Sequence, residues 1–151
     1  MKAVLAPLIA EPLPVLRRIL HPTNLTDASS RALILAIQLA RQNHAELLLA
    51  HALPPPTPLY EIESSERPEA ERKLEALVKK LLAQNIKAKR VLIKGSRPVA
   101  RNIIECAKFF GSDLIVMGSQ SRRGVARFLR GSIAVSVIKN APCPVLVVRN
   151  P

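Results

Sequence analysis

Aromatic side chains are scarce in this chain, which has no tryptophan, one tyrosine and three phenylalanines. Yet 48% of it is hydrophobic, so its core must be filled by Leu, Ile, Val and Ala. An aliphatic core suits α/β layers better than an all-β sandwich. Missing stacking residues, and the absence of any recognised nucleic-acid motif, also argue against a nucleic-acid reader. Cysteine is nearly absent. Cys106 and Cys143 are too few for a disulfide framework or a zinc site. Both read as small buried hydrophobes in a reducing compartment, here the cytoplasm. No apolar run has the length that spans a bilayer. The opening ten residues hold a proline inside a short apolar run, with Glu11 straight after, and are not read as a signal peptide.

Acidic residues run out halfway along. From Ile86 onward thirteen Lys or Arg face only Glu105 and Asp113, whereas the first part carries ten basic and nine acidic residues. The formal net charge of +12 therefore sits almost wholly in the second half. Such asymmetry suggests a phosphate-bearing partner: a nucleotide, a nucleic acid or an acidic surface. Lys87, Lys89 and Lys139 are assigned to solvated faces. Catalytic groupings are missing as well. There is no Gly-Lys-Ser or Gly-Lys-Thr of a Walker loop. Asp27 reads as a helix cap and Asp113 as a turn residue. His21 and His51 read as satisfied polar residues at the sheet edge, and Ser132 has no base in view. Neither a catalytic residue nor a metal ligand is expected.

What is present is a regular alternation. Apolar strands are predicted over residues 17–22, 46–53, 86–94, 114–117 and 145–148, separated by amphipathic helical patterns. Pro22 stops the first strand, and the residues from Thr26 to Ser29 offer N-caps for a helix carrying Ala32, Ala36 and Ala40. Pro54, Pro55 and Pro56 break the second strand and open a long loop. Pro68 and Pro98 sit at helix starts, and the last helix is predicted over 131–140. With 151 residues this is one domain, of α/β class: an open five-stranded parallel sheet with helices on both faces. Ligands in such sheets lie beyond the C-terminal strand ends, where strand order reverses. The segment 114–132 has the layout of a phosphate cradle at one of these ends. A strand closes on Gly118-Ser119, Arg122, Arg123, Arg127 and Arg130 follow, and Gly131-Ser132 opens a helix. Gly118 permits a tight turn or a close backbone approach, and the helix start favours an anion. Arg122 and Arg123 are placed to reach phosphate, whereas Arg127 and Arg130 fit a solvated helix face equally well.

These pieces together resemble the universal stress protein family over almost the whole chain. The resemblance rests on Ile19-Leu20-His21-Pro22-Thr23, Leu48-Leu49-Ala50-His51 and Gly95-Ser96-Arg97-Pro98. Its most specific part runs from Asp113 through Gly118-Ser119 and Gly131-Ser132 to Ala141-Pro142-Cys143-Pro144 and the last strand. It implies a Rossmann-like fold, of the adenine nucleotide alpha hydrolase-like kind, with strand order 3-2-1-4-5. The family domain would then span 17–151, after an N-terminal extension, 1–16, of unknown role. It also implies a stress-response module that holds ATP, AMP or a related adenine nucleotide, with Mg2+ reached through the phosphates only and at most slow ATP hydrolysis. Adenine would lie between Pro22-Thr23-Asn24 and Ala52, with Met117 beneath. Phosphates would rest on Gly118, Gln120, Ser121 and Arg122 and on Gly131, Ser132 and Ile133. Val145, Leu146, Val147 and Val148 would pair with a second copy to form a homodimer, and an unidentified protein would be a further partner.

Two positions depart from the nucleotide-binding pattern of that family. Ser121 stands where the pattern has its second glycine, at a cost of ~1 kcal/mol or more if φ is positive there. Asn24 stands where the pattern has aspartate and removes a charge from the site. Both substitutions favour a competing reading, an interaction module of the same fold that no longer holds a nucleotide. Charge-driven, sequence-blind nucleic-acid binding is the third and weakest reading.

Overall fold

A computed structural model describes residues 15–53, 66–93, 97–119 and 132–149. The chain builds β1 (Arg18–Pro22), a 3-10 turn (Asp27–Ser29), α1 (Ser30–Asn43), β2 (Glu46–Ala52) and α2 (Glu66–Ala83). It continues with β3 (Ala88–Ile93), α3 (Val99–Phe110), β4 (Leu114–Ser119), α4 (Ser132–Asn140) and β5 (Val145–Arg149). All strand pairs are parallel, in the order β3-β2-β1-β4-β5. The predicted fold class and strand order are both realised.

Side chains alternate across each strand, so a sheet covered on both faces splits its apolar run between two cores. Leu20, Leu48, Ile115 and Met117 face one way, against Ile103, Ile104 and Ala107 of α3 and Ala134 and Val137 of α4. Ile19, Leu47, Leu49 and Val116 face the other way, against α1 and α2. There α1 offers Ala32, Ala36 and Ala40 at four-residue spacing, so small side chains meet the sheet along its whole length. Helix ends follow local chemistry. Gly111 closes α3 in the left-handed region at φ 59, with its N–H on the Ala107 and Lys108 carbonyls.

Several local expectations are corrected. The fourth strand continues through Gly118 and Ser119. Within the described residues only Gly111 among the glycines has positive φ, so Gly118 is an extended strand residue and its freedom to turn is unused. Asp27 does not cap α1, and no side chain does. Helix α2 starts two residues before Pro68, whose missing N–H falls in a first turn that has no use for it. Cys106 is buried, its thiol pushed up to about 11 by desolvation, but Cys143 is only partly covered. His21 and His51 do lie near the C-terminal ends of β1 and β2, each ring on a backbone carbonyl.

Candidate functional site: the opened seam between β1 and β4

The order reverses between β1 and β4, and there the ladder stops early. Five residue pairs join β1 to β2, as far as Pro22↔Ala50, and the Thr23 N–H continues to the Ala50 carbonyl at 2.8 Å. Between β1 and β4 the register runs only through Ile19↔Leu114 and Leu20↔Ile115. In that register the next donor, to the Val116 carbonyl, would be the backbone N–H of residue 22. Residue 22 is a proline and has none. The bond is replaced by a side chain: His21 Nδ1–H donates to the Val116 carbonyl at 2.8 Å. That contact fixes the tautomer, since a carbonyl only accepts. His21 is fully buried, and burial pulls its imidazole down to about 4. It is neutral at physiological pH, with Nε2 buried and unpartnered.

Beyond Pro22 a hydrogen-bonded chain holds the loop. His51 Nδ1 donates to the Thr23 carbonyl at 2.9 Å, which ties the end of β2 to the end of β1. Leu25 N–H donates to Thr23 Oγ1 at 3.0 Å, Thr23 Oγ1 lies 3.1 Å from Ser29 Oγ, and Ser29 Oγ donates to the Thr26 carbonyl at 2.9 Å. Since the Ser29 proton is used on that carbonyl, Thr23 is the donor in the pair. These bonds hold Leu25 at φ 60, a region that costs a non-glycine residue about 1–2 kcal/mol. Asn24 closes an Asx turn: its Oδ1 accepts from the Thr26 N–H at 3.1 Å and from Thr26 Oγ1 at 2.7 Å.

The other expected site residues sit at the same end of the sheet. Ala52 ends β2 and is half-buried. Met117 is buried in β4, with Gly118 and Ser119 half-buried beyond it. Ser132 is the exposed first residue of α4, and Ile133 packs on the core. Gln120, Ser121, Arg122 and Gly131 lie outside the described residues, as do Arg123, Arg127, Arg130, the loop after Leu53 and the first fourteen residues. Sequence reasoning missed Arg149, exposed at the end of β5 and in register with Ser119. It also missed the part played by Thr26 and His51. The Asn24–Thr26 spacing of an Asx turn was the available signal for the first. No grouping of three or more His, Cys, Asp or Glu suited to a metal occurs among the described residues.

An open parallel sheet whose strand order reverses between β1 and β4 defines a class, the doubly wound α/β fold. The family model for the "Universal stress protein family" matches residues 16–149, and the chain belongs to that family. Universal stress protein MJ0531 of Methanocaldococcus jannaschii is 34% identical over 143 residues, covering 89% of this chain and 83% of its own. The solved structure of MJ0577, a protein of the same organism, superposes with a TM-score of 0.77 at 26% identity, covering 91% of this chain and 99% of that one. A universal stress protein solved in complex with cAMP superposes with a TM-score of 0.68, covering 91% and 100%. At 23% identity that last likeness is one of fold.

Proposed function

We propose that this universal stress protein binds one adenine nucleotide per chain in the β1–β4 seam and acts as a binding module, not as a turnover enzyme. The observation that carries the reading is the early end of the β1–β4 ladder at Pro22, beside a loop held by its own hydrogen bonds. Adenosine would rest on Pro22, Thr23, Asn24 and Ala52, above Met117. Phosphates would lie toward Gly118, Gln120, Ser121, Arg122, Gly131, Ser132 and Ile133. Structures of this fold described with cAMP, dAMP and AMP support an adenine ligand. ATP, with Mg2+ on its phosphates only, is the fuller form of the same ligand. The homodimer would form through the outer edge of β5, where Leu146 is exposed between partly covered valines. Residues 1–16 would stand outside the 17–151 domain. The cytoplasm is the proposed location, and no described helix is long and apolar enough to cross a membrane.

Calorimetric titration of AMP and ATP, with and without Mg2+, tests this. Saturable binding of one nucleotide per chain, weakened at least tenfold by Gly118→Val, is the expected result. No heat and no shift in melting temperature at millimolar nucleotide would leave the interaction module as the better reading. In that case the exposed β5 edge is the surface to test against protein partners.

A further inference from the structure

Successive residues of an interior parallel strand turn their backbone groups to opposite neighbours, and β2 lies between β3 and β1. The Leu47 and Leu53 N–H groups go to β3, on the Lys87 and Ile93 carbonyls at 2.8 and 2.9 Å. The Glu46 N–H goes to the β1 side, on the Arg17 carbonyl at 2.8 Å, so the even-numbered residues of β2 face β1. In that register the Thr23 N–H reaches the Ala50 carbonyl, as it does at 2.8 Å, and the next bond due is from the Ala52 N–H to the Thr23 carbonyl. That bond is not made. The Thr23 carbonyl accepts from His51 Nδ1 instead, at 2.9 Å. Among the described residues no acceptor takes the Ala52 N–H. Ala52 is half-buried at the end of β2, and its N–H lies on the side where β1 has just ended.

We infer that His51 is a positioning residue of the nucleotide site: by taking the Thr23 carbonyl out of the ladder, its ring leaves the Ala52 N–H free to donate to an acceptor on the ligand. The inference rests on the adenine-nucleotide reading and deepens it. A backbone N–H at a half-buried strand end is costly to leave without a partner, so an acceptor that meets it there is favoured. The device is the counterpart of Pro22. On the β4 side a proline removes a donor from the ladder, and on the β2 side a histidine removes an acceptor. Both act within three residues of the end of β1, and together they stop the two ladders that flank it.

The test compares His51→Leu with His51→Asn. Leucine has no donor, so the Thr23 carbonyl becomes available to the Ala52 N–H. Asparagine carries an N–H one bond beyond Cγ, where histidine carries Nδ1–H, and keeps the carbonyl engaged. Amide exchange at residue 52 is followed in ligand-free protein, the dissociation constant of 5′-AMP is measured by calorimetry, and melting temperature checks folding. His51→Leu should slow exchange at residue 52 and weaken AMP binding, each by about tenfold, while His51→Asn stays within about threefold of wild type in both. Unchanged AMP affinity in a folded His51→Leu protein overturns the inference and leaves the nucleotide reading standing. A loss of affinity without slowed exchange at residue 52 also overturns it, since His51 would then act only as a tie on the loop. Wild-type protein that does not bind AMP overturns both.

Discussion

The seam between β1 and β4 is closed at one end and open at the other. At the N-terminal end Asp113 Oδ2 accepts the backbone N–H groups of both Arg17 and Arg18, at 2.7 and 2.8 Å. The Arg18 guanidinium adds a bond to the Phe110 carbonyl at 3.2 Å, and the Asp113 N–H returns to the Arg18 carbonyl at 2.9 Å. At the C-terminal end a proline withholds the next ladder bond and one buried histidine stands in for it. The same two strands thus carry a clasp and a cleft. The difference comes from two residue types: a carboxylate that accepts twice and a proline that cannot donate. At the N-terminal end a carboxylate takes two backbone N–H groups, and at the C-terminal end a side chain takes the Val116 carbonyl that the ladder leaves over.

The largest effect should come from the His21 stand-in. Its imidazole is held down to about 4 in the fold, against 6.5 when unfolded. Between those values the unfolded chain takes up a proton that the native one refuses. The stability it contributes is therefore fully present above pH 6.5 and is lost as pH falls toward 4. The loss should total about 3 kcal/mol by denaturant titration. His21→Leu should flatten that slope, at a cost of about 1–3 kcal/mol at neutral pH from the orphaned Val116 carbonyl. A wild-type slope that survives in the variant would assign the acid sensitivity to another group.

The clasp comes next. Asp113→Ala should cost about 2 kcal/mol, less than two fully buried charge-assisted bonds would, because Arg17 and Arg18 are exposed. The loss should leave the pH 4–6.5 slope intact, since it lies at the other end of the seam. A loss of nucleotide affinity as large as the loss of stability would show the two ends to be coupled, and would weaken the contrast between them.

Much of this contrast was legible in the sequence, but not its meaning. Alternating apolar strands, an alanine stripe on α1 and proline stops mark the elements and their layering, because burial period and backbone chemistry are local properties, whereas the strand order came from the family resemblance. Pro22 was readable as a strand end. That it interrupts the ladder on the β4 side only depends on which way each backbone N–H faces, and hence on a register set by the distant residues Leu114 and Ile115. For the same reason Asp113 read as a turn residue: its partners are nearly a hundred residues away. Asn24 reads from the sequence as an uncharged amide able to accept and to donate, and the commitment of its oxygen to Thr26 appears only once the loop is folded.

The most direct test of the account is Pro22→Ala, followed by both amide exchange at residue 22 and nucleotide affinity. Restoring the N–H should extend the ladder to the Val116 carbonyl. Stability should stay within about 1 kcal/mol of wild type, as the new bond offsets the looser unfolded chain. A protected amide at residue 22 together with at least a tenfold loss of AMP affinity is the expected result. A protected amide with affinity unchanged would contradict it, because the opened seam would then not be where the nucleotide binds.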